Sequence, residues 1–429
     1  MSLLRTPSTR RALLRAALPA GLGLTAALGL GLRPGAARAS AGDRRFIFVR
    51  VFGGWDPTRV FAADSRGNAA VRFEAEAVVR SLGDLRYLDH PERPSVRSFF
   101  EENYAQSVIL NGVIVPSVNH RACENIAYTG ATVETAADWP TLIADAARDR
   151  FALPHVVVSG RAMSGLLGRS SVLIGDEGQV GRLLDGTLMS GASAHTDPLP
   201  AEVDALVEAH VLGRASARAL EGASAGDRAL AEAMAGSLRK AELMRELGDA
   251  VRWNTDGSFE SQIDLAVDLL SLGLSRCATL SYDSLTWDSH EDNDGKQSAN
   301  FEGLFAGLRA LALALAEAPG FAAPSLADEV VVVVMSEMGR TPNENSGKGK
   351  DHWAHTSALL FGPGLSGGRT IGGFSDLFYG LPVDPDSGEL DPGGRELTPA
   401  VLGSTLLALG DVGPAETLPE YTPILGVQA

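Results

Sequence analysis

The 429-residue chain carries 37 basic against 53 acidic side chains, a formal charge of −16, and the resulting field repels nucleic acid and anionic membranes. Its length exceeds the usual size of a single core, so one large α/β domain with insertions, or two domains, is expected. Two cysteines, Cys123 and Cys277, cannot build a disulfide framework; they form one bridge in an oxidising compartment or stay as two buried thiols.

At the N-terminus, residues 8–16 read STRRALLRA; an Ala/Gly-rich apolar stretch, Ala16–Leu32, follows, then the small-x-small triplet Ala37-Arg38-Ala39. That order describes a secretory signal of the twin-arginine type. Cleavage is expected after Ala39, with the folded chain passing through the twin-arginine translocase to a periplasmic or secreted location. The alternative is a retained N-terminal anchor, for which the apolar stretch is short. Residues 1–39 hold six arginines and no acid, so residues 40–429 keep 31 basic and 53 acidic groups, a formal charge of −22. No second membrane span is expected in that remainder.

Strands are expected, in chain order, at Arg45–Phe52, Ser107–Val115, His155–Ser159, Cys277–Tyr282, Glu329–Met335 and Thr356–Phe361, each a short run of β-branched or other apolar residues. The Asn-Gly inside Ser107–Val115 is also readable as a hairpin turn with short arms. Helical patterns fall at Thr135–Arg148, Ala201–Leu220, Gly226–Leu247, Phe259–Leu274, Asn300–Glu317 and Thr398–Leu409. The last opens on Thr398-Pro399, a cap followed by proline in the first turn. Near-continuous apolar strands alternating with helices predict an α/β fold: a mostly parallel sheet covered by helices on both faces. The stretch from about 200 to 275 reads as a helical insertion within a single domain spanning 40–429. Gly380–Gly394 reads as an irregular loop.

Parallel sheets bind ligands at the carboxyl ends of their strands, so the polar residues that follow each strand are the candidates. Asp56 follows the first strand. Ser117, Asn119 and His120 follow the second. Asp288 and His290 follow the strand at 277, Ser336 and Glu337 follow the strand at 329, and Asp351, His352 and His355 precede the last strand. Imidazole and carboxylate together suit zinc, manganese, iron or, with more oxygens, calcium. Asp288 and His290 share a side of an extended segment, and His352 and His355 share a face if their segment turns helically. Two such clusters at one sheet edge could hold two metal ions, polarise a phosphoryl or sulfuryl oxygen and lower the pKa of a water. Each residue also has a plainer reading: Asp56-Pro57 is a turn signal, SHEDND suits a solvated loop, and a lone His or Asp at a strand end caps a helix. His90, His155, His195 and His210 lack partners in the pattern and read as structural. Gly362-Pro-Gly-Leu-Ser-Gly367 fits the dinucleotide-binding glycine spacing, but no helix follows to hold a pyrophosphate, so it is a turn.

The strings GGWDP, NHRACENIAYTG, TWDSH and SEMGRTPNENSGKGKDHWAH, in this order behind a twin-arginine start, resemble the family called domain of unknown function 1501. That family is similar to the alkaline phosphatase and sulfatase superfamily. The resemblance implies a parallel α/β sheet with a metal site at one edge and hydrolysis of small anionic phosphate or sulfate esters. By position it makes Asp56 the first-strand metal carboxylate and Asp288 with His290 ligands of one metal. Glu337 stands where a second-metal aspartate is usual, and Met338 replaces the histidine that commonly follows. His352 or His355 matches a late ligand. His120 falls near the position of the usual oxygen nucleophile, which imidazole does not replace; Ser117, Ser336 or a metal-activated water are the substitutes. Arg340 is a candidate clamp for an anionic oxygen or part of a structural ion pair. The expected shell is Asp56, Asp288, His290, Glu337, Asp351, His352 and His355 around a divalent metal, with His120 as ligand or acid/base. The alternative is a metal-holding binding protein of the cell envelope without turnover.

Overall fold

The apolar runs become strands of one eight-stranded sheet. In the computed structural model the described residues are 41–174, 180, 200–220, 224–253, 256–283, 286–413, 418 and 420–429. The expected export signal, its expected cleavage site and His195 lie outside them. The strands are β1 (Arg45–Val51), β2 (Val78–Leu82), β3 (Leu85–Asp89), β4 (Ser107–Ile114), β5 (His155–Val157), β6 (Ser171–Leu173), β7 (Cys277–Ser281), β8 (Val330–Ser336), β9 (Gly339–Arg340), β10 (His352–Trp353), β11 (His355–Phe361) and β12 (Arg369–Gly372). The main sheet has the order β12-β4-β11-β8-β1-β7-β5-β6. β1 pairs in parallel with β7 and β8, while β11 is antiparallel to both its neighbours, β8 and β4. The fold is therefore mixed α/β with a mostly parallel sheet, as the strand pattern implies.

Every residue of β1 and β8 is buried, because each face of the sheet carries its own core. Ile47, Val49 and Val51 point to the side covered by helices Pro94–Asn103, Phe259–Ser271 and Asn293–Glu317. Phe46 and Phe48 point to the side covered by helices His120–Thr129, Trp139–Asp145 and Pro399–Leu409. This period-2 division is what a strand buried on both faces requires. By length and composition the helix Asn293–Glu317 could span a membrane; here it packs into the first core through Phe301, Leu304, Phe305, Leu308 and Leu311.

Several boundaries differ from the sequence reading. Ser107–Ile114 is one strand and no hairpin: Thr356 pairs with Val113 and Ser357 with Asn111, so Gly112 is the extra residue of a bulge. Gly112 has φ 80°, and a Cβ there would meet Gly373 O at 2.4 Å, so the position requires glycine. The helix expected over Thr135–Arg148 covers only Trp139–Asp145, because Asp138 caps it by accepting from Thr141 N at 3.0 Å. The helix expected from Asn300 starts at Asn293, so the acidic string ends in a helix and is not a free loop. The sequence reading has no element at the hairpin β2–β3 or at the helix Pro94–Asn103, although that helix buries Val96, Phe99, Phe100 and Asn103 at helical spacing.

Within 200–275, the helix Phe259–Ser271 belongs to the core layer. The helices Ala201–Leu220 and Ala225–Gly248 pack against each other, and in the second only Ala231 and Met244 are buried. The outlying part of the expected insertion is thus this pair. Cys123 and Cys277 are free buried thiols, and burial pushes them up to about 11 and about 12.

His155 sits fully buried between Thr141 Oγ1 at 2.9 Å and Thr279 Oγ1 at 2.8 Å. Burial lowers its pKa to about 4, against the raising effect of Asp138. The unfolded chain takes up this proton below about pH 6.5, and the folded chain only near pH 4. Its effect on stability is therefore absent above pH 6.5 and becomes a loss as pH falls toward 4, reaching on the order of 3 kcal/mol. Urea unfolding of the wild type and His155→Gln at pH 7 and pH 4 should show the variant losing less stability across that interval.

Candidate metal centre

Since β1, β7 and β8 are parallel neighbours, the segments that leave them emerge at one sheet edge, the usual ligand edge of such sheets. Gly53-Gly54 leaves β1, Asp288 and His290 follow β7, and Glu337 follows β8. β11 runs the opposite way, so its start reaches this edge and brings His352 with it. His120 arrives as the first residue of its helix after β4, whose cap Asn119 accepts from Ala122 N at 3.1 Å.

Each of three imidazoles has its Nδ1 fixed by an oxygen. His120 Nδ1 is 2.7 Å from Glu337 Oε1, His290 Nδ1 is 2.9 Å from Asp351 Oδ1, and His352 Nδ1 is 2.7 Å from Val118 O. A carbonyl or ionised carboxylate only accepts, so each Nδ1 carries a hydrogen, and in the neutral ring each Nε2 keeps a lone pair. The three lone pairs face one carboxylate. His290 Nε2 and His352 Nε2 are 3.0 Å apart, and each is 3.1 Å from Asp288 Oδ1. His120 Nε2 lies 3.4 Å from Asp288 Oδ2, is buried and makes no hydrogen bond. Ligand atoms of His120, Asp288 and His352 all fall within 4.8 Å of one another. Electron-rich atoms crowded this way repel unless a cation sits among them, so an orphaned buried nitrogen and a converging donor set fit a divalent ion.

The surroundings hold these donors. Burial pushes Asp288 up, but the hydrogen bond and charge of Arg340 outweigh it and bring the carboxyl to about 2. The hydrogen bond that His120 donates to Glu337 raises the pKa of His120 against its burial. Asp351 is lowered by its hydrogen bond to His290, then by Asn345.

The structure places several expected ligands away from this convergence. Asp56 is fully buried and committed elsewhere: Oδ1 accepts from Thr58 N and Oγ1, and Oδ2 meets Arg59, Lys350 and Asn293 at 3.0, 2.9 and 2.9 Å. His355 points away, since His352 lies in β10 and His355 opens β11, with a bend at Ala354 and no helical turn between them. Its Nδ1 accepts from Gly380 N at 2.9 Å, it packs on Trp353 and Tyr379, and burial lowers it to about 4. Glu337 orients His120, and its two oxygens also accept from Gly53 N, Gly54 N and Ser336 Oγ. Asp351 orients His290. Arg340 takes the structural ion pair that was its other reading: Nε donates to Gly54 O, Nη1 to Lys350 O, and Nη2 to Gly53 O, Trp287 O and Asp288 Oδ1. Ser117 Oγ accepts from Asn119 N, and Ser336 Oγ is buried between Trp55 N and Glu337. Among the described residues donors from the two sequence clusters converge at one sheet edge, in a single group.

Sequence reasoning missed the Val118 carbonyl and the loop before Lys350. Asn345 Nδ2 donates to His290 O and to Asp351 Oδ1. Gly349 lies so close that a Cβ would stand 1.8 Å from His290 O; the glycines of this loop were the available signal. Phe52, 45% exposed, lies 5.3 Å from His120 by ring centroids.

Fold and site together define a mixed α/β protein with an imidazole–carboxylate centre at the carboxyl edge of its sheet. Residues 209–385 match the family described as Protein of unknown function (DUF1501). The match includes Asp288, His290, Glu337 and His352 and leaves out His120. No curated protein matches the chain. Among solved structures it is similar to Ps i-CgsB in complex with k-i-k-neocarrahexaose, at 10% identity over 89% of this chain and 75% of that one, TM-score 0.35. It is also similar to the sulfatase candidate yidJ from Bacteroides fragilis (12% identity, 92% and 79% covered, TM-score 0.36) and to PsFucS1 sulfatase from Pseudoalteromonas sp. (10%, 86% and 68%, 0.34). The fold class itself rests on the sheet described above.

Proposed function

We propose that this chain is an exported, metal-dependent hydrolase of small phosphate or sulfate esters and a member of the DUF1501 family. The observation that carries the reading is the convergence of three Nε2 lone pairs on Asp288. Asp288, His290 and His352 would hold a divalent ion, which when bound supplies Lewis acidity toward a phosphoryl or sulfuryl oxygen and lowers the pKa of a water. His120 serves as acid/base at the same edge, with Glu337 holding its Nδ1 and raising its basicity. Asp351 and Arg340 position His290 and Asp288. The twin-arginine signal read in residues 8–39 supports export to the periplasm or beyond, with loading of the ion before passage.

A second reading, a metal-holding envelope protein without turnover, is favoured by one observation. Among the described residues no hydroxyl bonds to the four converging side chains, and the donors of Arg340 are already engaged. Elemental analysis of the purified protein with a screen of phosphate and sulfate monoesters separates the two. Bound metal with turnover that chelation abolishes, and that Asp288→Ala lacks, is the expected result. Metal without turnover supports the second reading; a folded protein that takes up no metal defeats both.

A further inference from the structure

We infer that Asn345 is a positioning residue whose single amide fixes the ring of His290, by holding both the backbone of that histidine and its carboxylate partner. His290 is a ligand only on the metal reading above, so the role of Asn345 rests on that reading and not on hydrolysis. Asn345 lies on the loop between β9 and β10, outside the converging donors, and its side chain is fully used. Nδ2 donates to His290 O at 3.0 Å and to Asp351 Oδ1 at 3.2 Å. Oδ1 accepts from Gly347 N at 2.9 Å and from Gly349 N at 3.0 Å. A side-chain amide has two hydrogens and two lone pairs on these atoms, so none is spare. Turned over, it would set NH2 against two N–H groups and oxygen against two acceptors, so the network determines its orientation.

The two acceptors of Nδ2 belong to one pair. Asp351 Oδ1 is also the oxygen that takes the hydrogen of His290 Nδ1, at 2.9 Å. Asn345 thus closes a circuit from the His290 carbonyl through Asp351 to the His290 imidazole. The pair needs this support. His290 and Asp351 are 44% and 59% exposed at the side chain, and a pair so open to water holds little geometry by itself. The two backbones are joined in the same sense, since Lys350 N donates to Ser289 O at 3.0 Å and Asn293 N to Lys348 O at 2.9 Å. The other two rings are held elsewhere. Nδ1 of His120 rests on Glu337, and Nδ1 of His352 on Val118 O, so the effect of the Asn345 amide falls on His290.

The test is Asn345→Asp in the metal-free full chain, with isotope-labelled histidine nitrogens read by NMR at about pH 9, where free imidazole is neutral. The carboxylate has the shape of the amide and still accepts from Gly347 and Gly349, but it cannot donate and it faces Asp351. In the wild type the His290 ring should show one fixed form with its hydrogen on Nδ1, the signal being assigned through His290→Gln. In Asn345→Asp that ring should lose its fixed form while His120 and His352 keep theirs. Zinc(II) titrated into the same samples should bind about ten- to a hundredfold more weakly in the variant, the usual effect of losing a ligand's partner. Thermal unfolding checks that the variant folds, and Asn345→Ala stands in if it does not. A His290 ring left unchanged overturns the inference, whatever the affinity does. Equal loss at all three rings overturns it too, leaving the loop a structural element only. A wild type that takes up no zinc(II) removes the metal reading, and the ring measurement still decides whether Asn345 fixes His290.

Discussion

Asp56→Ala is expected to destabilise the fold by about 3–5 kcal/mol, the usual cost of leaving buried partner charges uncompensated. The carboxylate has no exposure and lies against Lys350 and Arg59, which have none either. Burial alone would push its pKa up, but Lys350 and then Arg59 hold it well below the ordinary carboxylate range. Arg59 continues to Glu74 at 3.0 Å, and Glu74 to Arg93 at 2.6 Å, so removing Asp56 leaves a surplus of buried positive charge. Pairing Asp56→Asn with Lys350→Met should recover much of the loss, because the surplus falls by one. Urea unfolding with and without manganese(II) decides the role of Asp56. An ion that binds the native state raises stability, and the same increment should appear in the wild type and in Asp56→Asn. An increment lost in Asp56→Asn would restore Asp56 to the metal shell.

Glu337→Gln is expected to keep the metal ion and lower turnover by about a hundredfold, within the range of a positioned acid/base. Glu337 has no exposure and holds His120 Nδ1 at 2.7 Å. An amide in its place turns an NH2 toward Gly54 N or toward His120, so some loss of stability, about 1–3 kcal/mol, accompanies the change. The more telling readout is the pH profile. Glu337 raises the pKa of His120, so its removal lets that pKa fall, and the limb of the profile due to His120 should move to lower pH. A variant that loses the ion would mean that His120 is a ligand. An unmoved limb would mean that His120 takes no part in turnover.

The edge where these groups meet was legible because the valine run of β8 ends just before Glu337, and Asp288 follows the apolar strand β7. Asp288 and His290 stand two apart, which is a local signal; the helix that His120 opens was absent from the sequence reading. What was not legible depended on distant partners. Asp56 is drawn away by Lys350 and Asn293, well over 200 residues off in sequence. Arg340 is consumed by backbone carbonyls of Gly53 and Gly54, which no composition reveals. The choice between His352 and His355 turned on whether four residues were helical or extended, and that is decided by pairing of β10 with β9 and β11 with β4. The helix start at Asn293 was hidden in an acidic string because the side chain of Asn293 is drawn inward onto Asp56.

The reversed direction of β11 has a consequence for the order of events during synthesis. His120 is made early, Asp288 and His290 much later, and His352 last of all. His352 reaches its partners only after β11 has slotted between β4 and β8. No nascent fragment that ends before His352 holds all of the donors, so most of the chain is made before a complete trap for a metal ion can form. Acquisition of the ion would then be a timestamp on the finished sheet. In a chain exported after folding, the ion it carries would record which compartment supplied it.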